Sequence, residues 1–143
     1  MLKAVLGLFL MAGQLSGPGG GLPQVLHPEF KPAAPVKAGK RAEVIVSFTA
    51  IKGYVVDREL PFTLKLSETP GVTLEKTEVA ASGKDPKSKD NYYVDLPTLK
   101  VGVTAVKAGK YEVPGKLKYF FCNKADGFCS TQTLDVKIPV QAE

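Results

Sequence analysis

The chain has 143 residues, 44% of them hydrophobic and 23% charged, with fourteen glycines, eleven prolines and no tryptophan. That is enough for one domain with its own core and too little for a second, and the Pro/Gly share speaks against long helices without reaching the level of a low-complexity chain. The net charge of +5 includes only two arginines, Arg41 and Arg58, and forms no basic stripe, which excludes a nucleic-acid reader.

Residues 1–41 carry five bases against Glu29 alone, so this segment holds +4 of the net charge and residues 42–143 are nearly neutral. The opening MLKAVLGLFLMAGQLSG sets Lys3 before an apolar run from Ala4 to Ala12. The run is shorter than the roughly 20 residues a spanning helix needs, and residues 1–21 read as a secretory signal or anchor segment. Export to the periplasm or another extracytoplasmic compartment follows as the expectation, with membrane proximity through the N-terminus. Residues 22–41 form a Pro/Gly-rich stretch without period, expected as a linker or extended arm. His27, the one histidine, lies there and cannot by itself complete a metal site or a nucleophile–base arrangement.

From residue 42 to residue 143 the dominant signal has period two, the pleat's own repeat. Val44, Val46, Phe48 and Ala50 share one face; so do Phe62, Leu64 and Leu66, and Leu99, Val101, Val103 and Ala105. Leu117, Tyr119 and Phe121 follow, then Leu134, Val136, Ile138 and Val140. Together with VTLEKTEV, YVV at 54–56 and YYVDL at 92–96, this predicts seven or eight short strands. Half-buried strands with no helix to cover them need a second sheet, so the fold class is all-β, an immunoglobulin-like antiparallel β-sandwich. The pentapeptide VKAGK occurs at 36–40 and at 106–110 and reads as a reused turn in which Gly39 and Gly109 supply permissive dihedrals. Pro139 marks the last strand as an edge.

ASGKDPKSKDNYY, residues 81–93, breaks the rhythm. A solvated loop is the plain reading. Loops on a rigid scaffold also carry function, and one ending in Tyr92 and Tyr93 is placed to lay an aromatic cover over a neighbouring site.

Cys122 and Cys129 are the only cysteines. They end one strand and begin the next around an Asp126–Gly127 turn, which predicts a hairpin with the Cα atoms near the 5.5–6 Å that a bridge prefers. Two thiolates and one remote histidine do not complete the four ligands of a zinc site, and no metal or organic cofactor is expected. A disulfide is the natural state in an exported chain. The chemistry of the residues leaves two roles open, a redox-active pair or a structural brace.

VKAG at 36–39, KGY at 52–54, GVTLEK after Pro70 and, above all, KYFFCNKADGFCSTQTLDVKIPV at 118–140 resemble the periplasmic N-terminal domain of the DsbD thiol:disulfide interchange family, including its stand-alone relatives. The resemblance runs from about Val36 to Val140. It implies thiol–disulfide exchange through Cys122 and Cys129 as a protein-disulfide oxidoreductase component. A thioredoxin-like or membrane electron-transfer protein would be one partner and exported proteins the other, with the second cysteine as the point of attack. It also implies a cap loop over the sulfurs, matched by Asp90, Asn91, Tyr92 and Tyr93, with Asp126 and Phe128 in the surroundings. Ser130 and Thr131 depart from the aromatic or proline residues common after the family's second cysteine. The alternative is a non-catalytic protein-binding or assembly module with a structural hairpin disulfide.

Overall fold

A computed structural model describes residues 22–143; the signal or anchor expectation for residues 1–21 lies outside the described residues. The strands are β1 (Leu26–Pro32), β2 (Arg41–Ala50), β3 (Tyr54–Val56), β4 (Thr63–Leu66), β5 (Val72–Leu74), β6 (Glu78–Ala80), β7 (Leu99–Ala105), β8 (Gly109–Asn123) and β9 (Cys129–Ala142). One sheet runs β1-β2-β7-β5. The other is built on β8, which pairs with β9 along one side and with β3 and β4 in turn along the other, β6 lying outside β4. All of these strand pairings are antiparallel, and the two sheets enclose one core as an all-β sandwich.

The period-two faces are the core faces. Val44, Val46, Leu99, Val101, Val103 and Ala105 are buried from one sheet, and Phe62, Leu64, Leu117, Tyr119, Phe121, Val136, Ile138 and Val140 from the other side. At the end of the sandwich nearest the cysteines, Phe62 packs edge-on to Phe48 and Tyr93, with ring centroids 5.2 and 6.2 Å away. Phe48 and Ala50 are only partly buried there.

Two sequence expectations need correction. The strands number nine among the described residues, and β8 and β9 are long, 15 and 14 residues, where short strands were expected. Strand β8 starts at Gly109 because Tyr111, Val113 and Gly115 continue the alternation of Leu117, Tyr119 and Phe121. Pro114 does not stop it. Its carbonyl accepts from Ser67 N at 2.9 Å just beyond β4, and its missing N–H lies on that side, away from the β9 ladder.

YYVDL is the second correction, because residues 92–96 form no strand. Tyr92 makes a single bridge to Asp57. The backbone N–H groups of Val94 and Asp95 donate to the Asp85 carboxylate at 2.7 and 3.0 Å, and Ser88 Oγ donates to the Tyr92 carbonyl. Side chains thus take most of the bonds a ladder would have used, Tyr93 N alone donating to a backbone carbonyl, that of Val56.

The stretch 22–41 is docked on the sandwich. Strand β1 lies antiparallel to β2, Val25 and Leu26 are fully buried, and Leu26 N donates to Tyr119 Oη at 3.3 Å. Tyr119 Oη in turn donates to Gln132 Oε1, and burial pushes the phenol's pKa up to about 12. The two VKAGK turns share a positive φ at their glycine, 77° at Gly39 and 150° at Gly109. They differ in setting: Val36 is buried and bridges Ala142, whereas Val106 is exposed. Among the described residues β9 has β8 as its only strand neighbour, which places Pro139 on an edge.

Candidate functional site

Fourteen registered pairs run along β8 and β9 and end at Cys122 opposite Cys129. The turn beyond them is held by its own side chains. Asn123 Oδ1 accepts from Ala125 N and Asp126 Oδ1 from Phe128 N, both at 2.9 Å, while Gly127 adopts a φ of 73° that favours glycine. The sulfurs are joined in a disulfide with a Cα–Cα distance of 4.0 Å. That is closer than the 5.5–6 Å expected, because the two residues sit directly opposite each other in a non-hydrogen-bonded cross-strand pair, the closest pairing a sheet provides.

Alternation decides which way the sulfurs face. The inward residues include Leu117, Tyr119 and Phe121 on β8 and Leu134 and Val136 on β9, so Cys122 and Cys129, of the opposite parity, project to the outer face of their sheet. On that face the next strand gives Val55, the register partner of Cys122, and beyond it Tyr92 stands opposite Asp57. Val55, Cys122 and Cys129 therefore form one row across the sheet, and Tyr92, which lies in the neighbouring row with Asp57 and Phe120, reaches over it diagonally. Tyr92 Oη donates to Cys122 Sγ at 3.6 Å. The two sulfurs differ in access: Cys122 is only 8% exposed beneath this cover, whereas Cys129 is open to solvent. A cleft of about 330 Å³ lies over the bond, walled by Val55, Asp90, Tyr92, Asn123, Lys124 and Gly127. A larger hollow of about 650 Å³ opens on the other side of Tyr92, between the end of β2 and residues 90–96, without touching the sulfurs.

The remaining residues singled out in the sequence are distributed around this row. Asp90 Oδ1 accepts from Tyr92 N at 2.9 Å, and the Asn91 carbonyl accepts from Arg58 N at 2.7 Å. Tyr93 parts from Tyr92 and faces inward, 7% exposed, with its N–H donating to the Val56 carbonyl. It anchors the loop in the core and leaves the cover to Tyr92 alone. Phe128, half-exposed, sits at the hairpin tip beside Cys129. His27 is remote, on β1, with Nδ1 3.4 Å from Gln24 Nε2.

Two residues the sequence reading passed over hold the cap segment in place. Arg58 directs Nε to the Asp90 carbonyl at 2.7 Å and to Ser88 Oγ at 3.2 Å. Asp85, the one buried charged residue among the described residues, accepts from Lys87, Val94 and Asp95 N–H groups. Burial works to raise the Asp85 pKa, but those three backbone donors and the nearby Arg58 outweigh it and hold the carboxyl below its ordinary 3.8. The available signals were Arg58 as one of two arginines in a lysine-rich chain and Asp85 before Pro86, a turn-forming pair.

No family model and no curated protein matches the chain. Among solved structures, a cohesin module from Clostridium perfringens ATCC13124 family 33 glycoside hydrolase is similar to it at a TM-score of 0.41 and 14% identity, covering 85% of this chain and 100% of that one.

Proposed function

We propose that the chain is a thiol–disulfide exchange module acting through Cys122 and Cys129. The observation that carries this reading is the asymmetry of the pair: Cys129 is open to solvent, while Cys122 is covered and receives a hydrogen bond from Tyr92 Oη. A partner thiolate attacks Cys129 Sγ, the Cys129–Cys122 bond breaks, and Cys122 leaves as a thiolate beside the Tyr92 hydroxyl before taking a proton from water. The partner's second thiolate then attacks its own sulfur in the mixed disulfide and releases Cys129. Two electrons and two protons pass from the partner dithiol to the pair, and the partner ends as a disulfide. An exported substrate disulfide reoxidises the pair by the reverse steps. The likeness of residues 118–140 to the DsbD N-terminal domain supports the same assignment, with a thioredoxin-like or membrane-borne dithiol as donor and a periplasmic or other extracytoplasmic setting.

Equilibration of the full chain in glutathione buffers, read by alkylation and mass, tests the proposal. A reduction potential above about −300 mV is expected; a value well below that places the bond among inert structural bridges and leaves a non-catalytic binding module braced by its hairpin.

A further inference from the structure

The cross-strand register settles which backbone groups of β9 face outward. On β8, the carbonyls of Pro114 and Phe120 point away from β9, since they accept from Ser67 N and Asp57 N at 2.9 Å. Their partners in non-hydrogen-bonded pairs on β9 therefore point away from β8 in the opposite direction. Cys129, Thr131 and Thr133 belong to this set, as do Asp135, Lys137 and Pro139 farther along. Among the described residues no backbone bond reaches these outward groups; the segment Val36–Ala38 bonds only at the far end, to Glu143.

The two halves of this edge are built differently. Asp135, Lys137 and Pro139 are the residues by which sheet edges repel added strands. Cys129, Thr131 and Thr133 carry no charge and retain every N–H, and all three are exposed. The unguarded half thus begins at the reactive sulfur. The flanking Gln132 turns its side chain inward to Val25 N and the Pro23 carbonyl, leaving the in-plane edge open.

We infer that the β9 edge from Cys129 to Thr133 is the docking track for the partner, whose thiol-bearing segment pairs with it as an added extended strand. The inference rests on the exchange function proposed above. It names main-chain pairing as the source of affinity, so the partner is recognised by an extended conformation around its cysteine and by the absence of proline there.

The test uses the full chain with Cys122→Ser, which leaves Cys129 as a single thiol. Two nine-residue peptides serve as probes, one alternating threonine and valine around a central cysteine, the other identical but with prolines flanking that cysteine. Both are supplied as mixed disulfides with 2-mercaptoethanol. A peptide adduct forms when Cys129 thiolate attacks the peptide sulfur and 2-mercaptoethanol leaves as the thiol, and the adduct ratio at equilibrium is read by mass. The extended peptide should exceed its proline twin by about tenfold, the worth of one or two net backbone bonds. Thr131→Pro removes an outward N–H without touching the β8 ladder and should bring the ratio to about one. Thr133→Pro reads the same edge if the first variant folds poorly. A ratio near one in the unsubstituted edge, or a tenfold ratio that survives both proline variants, overturns the docking track. Absence of an adduct with either peptide overturns the exchange chemistry itself.

Discussion

At Tyr92 a single hydroxyl stands 3.6 Å from Cys122 Sγ, so removing that oxygen alters the surroundings of the departing sulfur and little else. Tyr92→Phe is expected to slow reduction of the bond by dithiothreitol roughly tenfold, the worth of a hydrogen bond to a developing charge, with the thermal midpoint unchanged. An unaltered rate would remove Tyr92 from the chemistry. At Asp85 the test is of the cap. Its carboxyl is held below 3.8 in the folded chain, so the ionised form is the one folding prefers. That contribution is fully present above the ordinary aspartate value and is lost as the pH falls through the depressed one. The amides of Val94 and Asp95 should therefore exchange slowly at neutral pH and lose protection in acid below the ordinary range. In Asp85→Ala they should be unprotected at every pH, exchanging roughly tenfold or more faster than wild type at neutral pH and no faster in acid. The cysteines and Tyr92 were legible in the sequence because spacing and residue chemistry mark them directly. Arg58 and Asp85 were not, since each acts on backbone groups far from it in the chain.

Strand faces were legible for a related reason: the pleat imposes a period of two, and Leu117, Tyr119 and Phe121 cannot all be buried in any other register. Residues 92–96 defeated the same reasoning because most of their backbone bonds go to the side chains of Asp85, Ser88 and Asp90, which periodicity does not report. The stretch before β2 gave a composition of linker type, yet β1 within it is held by a tertiary bond from Leu26 N to Tyr119 Oη. Tyr119→Phe leaves that buried N–H without its acceptor and is expected to cost about 1–3 kcal/mol in urea unfolding. Leu26→Ala should cost about 2–5 kcal/mol by opening a cavity at the same joint. Because the folded phenol titrates near 12 against 10.0 unfolded, the folded state favours the protonated form. The stability this gives is whole below pH 10 and is lost as the pH climbs toward 12.

The molecule as a whole is organised around β8, which lies between β9 on one side and β3 and β4 on the other, and no local pattern announces that order of neighbours. Because the disulfide sits on the outer face, the one buried side chain that opening it frees is that of Cys122, outside the core cluster. Its loop is short, so in the chain-entropy model reduction removes at most about 2.5 kcal/mol. The reduced protein should keep its amide protection pattern throughout the core and unfold at a slightly lower urea concentration, and loss of that pattern would mark the bond as a scaffold element. The ladder beneath the sulfurs has a kinetic corollary. With the strands clamped in register, Cys122 cannot drift away once freed, and it faces any adduct on its neighbour at very high effective molarity. A monothiol left on Cys129 has no second thiol to resolve it, so Cys122 displaces it and the disulfide re-forms, giving the module a built-in limit on how long such an adduct can occupy it.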